Sequence, residues 1–96
     1  MAMNITTDTV FQRSPSATHQ SVAGEAIVID LNTGSYYSLN ETGTWLWENL
    51  DGQRSVGQLA RKLALLCDIP EQADTVQGDL VELLNELLAE KLVVAG

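Results

Sequence analysis

The chain is poor in positive charge. Five Lys and Arg stand against thirteen Asp and Glu, for a net charge of −8. Nucleic acid is a polyanion whose binding depends on Lys and Arg displacing counterions, so this balance argues against DNA or RNA as a partner. Cysteine occurs once, at Cys67, which excludes an intrachain disulfide and fits a reducing compartment. Histidine also occurs once, at His19, without a ligand-spaced companion, and reads as polar surface rather than a metal ligand. No apolar run approaches the ~18 residues of a membrane-spanning helix, and the N-terminus lacks a basic-then-apolar signal segment. The expected location is therefore cytoplasmic, with no membrane partner. No glycine-rich phosphate loop, paired-cysteine metal motif or Ser-His-Asp arrangement is visible, so no cofactor, no metal and no enzymatic activity are expected.

What remains is an ordered chain, 45% hydrophobic in 96 residues, enough for one small core. Residues 1–9 are polar and aperiodic and read as a flexible tail ahead of a single domain over 10–96. Residues 10–13 read as a short strand, broken by Ser14-Pro15-Ser16, and residues 19–22 resume extended structure. Residues 25–31 form the clearest strand, with Ile27, Ile29 and Leu31 alternating with Val28 and Asp30. Asn32-Thr33-Gly34 has turn chemistry, with Gly34 suited to a positive φ. Ser35, Tyr36, Tyr37, Ser38 and Leu39 return as the partner strand, Tyr37 and Leu39 on one face and Tyr36 and Ser38 on the other.

Asn40 suits an N-cap for a helix over 41–50, which Asp51-Gly52 would end. Trp45 and Trp47, two apart on that helix, cannot both face the core, so one is expected inside and one partly exposed. Ser55 and Gln58 form a capping-box pattern opening a second helix. Val56, Leu59, Ala60, Leu63 and Cys67 recur at helical spacing on it, which reads Cys67 as a small buried side chain. Pro70 interrupts the pattern.

The third helix, 73–91, carries Val76, Leu80, Leu83, Leu84 and Leu87 on one broad side, widened by Val81 and Leu88. That stripe is wider than one small core needs. Glu71, Asp74, Asp79, Glu82, Glu86 and Glu90 read as a solvated face, and Asp79, at the border of the stripe, is placed to orient a partner's amide or cation. Gly78 lies within the helix at a cost of about 1 kcal/mol against Ala, either for a close backbone approach or as a tolerated cost. The apolar tail Leu92, Val93 and Val94 is expected to tuck back onto the body. The order of elements defines an α+β chain: a winged-helix-like arrangement of a small antiparallel N-terminal sheet followed by three helices.

Three features occur in order: Gly34-Ser35-Tyr36-Tyr37-Ser38-Leu39-Asn40-Glu41-Thr42-Gly43; then Leu50-Asp51-Gly52-Gln53-Arg54-Ser55-Val56 with Leu59 and Leu63; then Ile69-Pro70 with Gly78-Asp79-Leu80, Leu83, Leu84, Leu87 and Lys91-Leu92-Val93. Over residues 20–94 this set resembles the PqqD-like family of precursor-peptide recognition domains, and in particular its stand-alone members, including those of lasso-peptide pathways. The resemblance implies a non-catalytic domain. The leader of a ribosomally made precursor peptide would add as a strand to the sheet edge at residues 35–39, in a groove walled by Val76, Asp79, Leu80, Leu83, Leu84 and Leu87 of the third helix. The implied partners are that precursor peptide and a modifying enzyme such as a radical SAM protein, a leader peptidase or a cyclase. Lys91 stands where the family often has glycine. The residues alone agree with a peptide-binding surface, because an open strand offers unpaired amides and carbonyls. They also leave two other readings: a winged-helix transcription regulator, and a structural subunit that dimerises through the wide stripe.

Overall fold

The computed structural model describes residues 5–95. Ten short elements follow one another. Strands β1 (Val10–Arg13), β2 (Ala17–Val22), β3 (Glu25–Asp30) and β4 (Tyr36–Leu39) lead into helix α1 (Glu41–Glu48). Then come β5 (Asp51–Ser55), helix α2 (Val56–Leu66), a 3-10 turn (Pro70–Gln72), helix α3 (Ala73–Ala89) and β6 (Val93–Ala95). The α+β expectation of a small antiparallel sheet followed by three helices holds, with an addition. The strands form two three-stranded antiparallel sheets, β2-β3-β4 and β5-β1-β6. Among the described residues no helix is long and apolar enough to cross a membrane.

The second sheet draws on segments that read as a helix end and a tail. Asp51-Gly52 does not terminate α1, which stops at Glu48. It opens β5 instead, with Gln12 of β1 opposite Asp51. The Asp51 carboxylate accepts the amides of Gln53 and Arg54 at 2.9 and 3.1 Å, which holds the bend. These bonds, then the nearby Arg54 charge, also hold its carboxyl below the ordinary range. Gly52 does take a positive φ, +76°, but inside this bend. The tail tucks back as expected, pairing Val93 with Arg13 and Ala95 with Phe11.

The caps follow the local chemistry. Asn40 Oδ1 accepts the Gly43 amide at 2.9 Å. Ser55 and Gln58 close a reciprocal capping box. Both longer helices end in the same reversal. In α3 the Leu92 amide reaches the Leu87 carbonyl and the Lys91 amide reaches Leu88, with Lys91 at φ 59°. In α2 the Ile69 amide reaches Ala64 and the Asp68 amide reaches Leu65, with Asp68 at φ 60°. This is the two-bond Schellman closure, whose left-handed position glycine fills at least cost. It also corrects the reading of Cys67. The reversal folds Ile69 back against the core, and Cys67, one residue past the helix, is left exposed.

The core gathers one face of each element: Phe11, Val28, Leu39, Leu46, Trp47, Leu59, Leu80, Leu84, Leu87, Leu92 and Val93 are all at most 3% exposed. Of the two tryptophans, Trp47 is buried and Trp45 half-buried. His19 meets the Trp47 ring edge-on, with centroids 6.1 Å apart, and the Arg13 guanidinium lies 6.0 Å from it. The stretch read as a flexible tail is part described: residues 5–9 lie against the body. The Val56 and Gly57 amides donate to the Thr9 and Thr7 carbonyls, Thr7 Oγ1 bonds Gln77, and Ile5 packs on the core. Residues 1–4 of that stretch lie outside the described residues.

Candidate peptide-binding groove

Strand β4 ends its sheet. In the order β2-β3-β4 it bonds β3 on one side, and among the described residues nothing pairs with the other. The register sets Tyr36 opposite Ile29, Tyr37 opposite Val28, Ser38 opposite Ile27 and Leu39 opposite Ala26. The Asp30 amide donates to the Ser35 carbonyl at 2.8 Å. Antiparallel ladders bond alternate pairs, so Val28 with Tyr37 and Ala26 with Leu39 are the next bonded pairs. The main-chain groups of Tyr36 and Ser38 therefore point to the open side.

A groove of about 450 Å³ runs between this edge and α3. Tyr37, Ser38, Leu39 and Asn40 line it from the strand, Thr42 and Gly43 from the start of α1, and Asp79, Leu80, Leu83 and Glu86 from α3. A second hollow, about 460 Å³, lies on the β2–β3 side and shares Ser38, Leu39 and Asn40, so the end of β4 stands between the two. Gly43 is buried where the strand, α1 and α3 converge. A Cβ there would sit 3.1 Å from Leu39 Cδ2 and 3.3 Å from Leu83 Cδ2, so glycine lets the three elements approach closely at the groove floor.

The two ends of the groove differ. At one, the Tyr37 hydroxyl donates to the Glu86 carboxylate and ties β4 to α3. That bond first, then burial, then the charges of Glu86 and Glu90, raise the Tyr37 pKa above the ordinary 10.0. At the other end, Asp79 and Leu80 of α3 share the lining with Asn40, Thr42 and Gly43, and no Lys or Arg lines any part of it.

Of the residues singled out from sequence, Tyr37, Ser38, Leu39, Asp79, Leu80 and Leu83 come together here. Val76, Leu84 and Leu87 face the core instead, at 8%, 0% and 0% exposure. Ser35 lies at the hairpin turn, outside the lining. Tyr36 contributes its main chain to the edge, but the residue is 71% exposed, its side chain on the opposite sheet face, where Val22, Ile27 and Leu31 are also exposed. Sequence reasoning did not single out Asn40, Thr42 and Gly43 as lining, and it took Glu86 for plain solvated surface. The signal available for the first three was the N-cap itself, which forces the chain to turn beside the strand end. Nothing local marks Glu86, whose partner is 49 positions away.

An open strand beside a helix-walled groove defines a class of domain that can pair with an extended chain. Residues 25–93 match the family model described as coenzyme PQQ synthesis protein D (PqqD), and the chain belongs to that family. No curated protein matches it. Among solved structures, "TbiB1 in Complex with the TbiA(beta) Leader Peptide" shares the fold. It has a TM-score of 0.71 and 22% sequence identity, over 85% of this chain and 93% of that chain.

Proposed function

We propose that this chain is a non-catalytic recognition module, acting in the cytoplasm, for the leader segment of a ribosomally made precursor peptide. The leader adds as a strand to β4, main chain against the outward groups of Tyr36 and Ser38, with alternate side chains in the groove along α3. Residues 10–96 act as one domain, which holds the peptide for a modifying enzyme. The observation that carries this reading is the coincidence of an unpaired edge with a groove along that same edge. Membership of the PqqD family and the fold shared with a protein solved with a leader peptide support it. The regulator reading is disfavoured by α3, whose charged residues Asp74, Asp79, Glu82 and Glu86 are all acidic.

The test is an amide-shift titration with a leader peptide encoded by a short reading frame beside this gene. Shifts gathered at residues 36–43 and on Asp79, Leu83 and Glu86 are expected. A spectrum unchanged there would overturn the proposal.

A further inference from the structure

The groove wall carries a charge pattern that specifies its guest more closely. On α3, Asp79, Leu83 and Glu86 follow at i, i+4 and i+7, and all three line the groove. One helix face thus presents an aliphatic centre between two exposed carboxylates, spread over about 10 Å of helix. Gly43 packs close beside that centre: an added Cβ would press on Leu83 Cδ2 at 3.3 Å, so any larger residue there would displace the side chain the guest meets. Tyr37 occupies part of Glu86, but a carboxylate offers about four acceptor sites, so Glu86 keeps capacity for a second donor. Among the described residues no cation lines the groove to neutralise either group, and the whole chain, at −8, adds attraction of the same sign.

A strand laid on β4 turns every second side chain into the groove, roughly 6.8 Å apart. Three successive groove-facing residues span roughly 13 Å, and long cationic side chains can close the difference to the two carboxylates. We infer that the guest carries the pattern Lys/Arg–x–aliphatic–x–Lys/Arg, with the aliphatic side chain on Leu83 above Gly43 and the cations on Asp79 and Glu86. The pattern reads the same from either end, so it applies to a parallel or an antiparallel guest. It rests on the strand-addition reading above and adds the chemical class of the peptide.

Three short Thr-rich peptides test it. One is centred on Lys-Thr-Leu-Thr-Lys, the second has Gln for both Lys, and the third has both Lys moved one position so that they face away from the groove. Affinity is read by fluorescence anisotropy, and hydrogen exchange of the Tyr36 and Ser38 amides reports strand addition separately. The first peptide is expected to bind about tenfold more tightly than the second, the size two exposed ion pairs can supply. The third should resemble the second, and Asp79→Asn with Glu86→Gln should remove the difference. Equal affinities with both amides protected would overturn the charge pattern and leave strand addition standing. A third peptide as tight as the first would overturn the placement of the cations, leaving only net-charge attraction. Failure of all three to protect the amides would overturn strand addition and the pattern with it.

Discussion

The Tyr37 hydroxyl donates a hydrogen bond to the Glu86 carboxylate, joining the edge strand to α3 at one end of the groove. An exposed bond to a charged acceptor contributes about 1 kcal/mol, so Tyr37→Phe should lower stability by that amount. The bond also makes a pH signature. It keeps the phenol protonated, so the folded pKa lies above the unfolded value near 10.0. The contribution is complete below pH 10 and is lost as pH climbs through the raised pKa. Thermal melts of wild type and Tyr37→Phe should differ by a constant amount at neutral pH and converge above pH 10. A phenolate-absorbance titration of Glu86→Gln should show Tyr37 ionising at lower pH than in wild type.

Ser38→Pro removes one amide from the open side of β4 without touching the β3–β4 ladder, and edge positions tolerate proline. Bound-peptide affinity should fall about five- to tenfold while the melting temperature stays nearly unchanged. Tyr37→Pro, which removes an amide directed at Val28, should destabilise the fold itself.

Leu83 and Leu84 are neighbours in sequence with opposite duties. Leu84 is fully buried, and Leu84→Ala should cost about 2–5 kcal/mol. Leu83 is half-buried on the groove wall, and Leu83→Ala should cost about 1 kcal/mol of stability yet weaken peptide binding clearly. Denaturant melts beside a binding isotherm separate the two effects.

Two substitutions, one in α3 and one in the turn that follows it, should stabilise the protein. Among the described residues a Cβ at Gly78 would meet nothing within 4 Å, and Gly78→Ala should add about 1 kcal/mol. Lys91 holds the left-handed turn position at φ 59°, and Lys91→Gly should relieve strain of about 1 kcal/mol. In a domain of this size each should raise the melting temperature by roughly 4–8 °C.

Gly57→Ala should act the other way. An added Cβ would overlap Thr7 Oγ1 and lie 3.1 Å from the Thr7 carbonyl, so the docked segment 5–9 must move. A loss of about 1–3 kcal/mol is expected, with faster hydrogen exchange at the Val56 and Gly57 amides.

Local chemistry made much of this fold legible. Asn40, the Ser55–Gln58 box and Gly34 mark their caps and turn because each acts within three or four residues. β5 was not legible, since Asp51-Gly52-Gln53-Arg54-Ser55 holds no strand-forming side chain and is extended only because β1 pairs with it. Cys67 was misread because helical spacing continues past the point where the chain reverses at Asp68. The width of the α3 stripe marked more apolar surface than the core fully covers, with Val81, Leu83 and Leu88 left half-buried. It did not show that Leu80 would serve both the core and the groove while Leu84 and Leu87 serve the core alone.

The open edge is also short. Tyr36 and Ser38 together offer about four main-chain hydrogen bonds, each worth roughly 1 kcal/mol net, and ordering two chains against each other costs at least that total. Backbone pairing alone therefore cannot retain a strand, whether a stray unfolded segment or another copy of this protein. Residence depends on what the side chains add, and a peptide that loses those contacts through chemical modification would leave without any machinery to remove it.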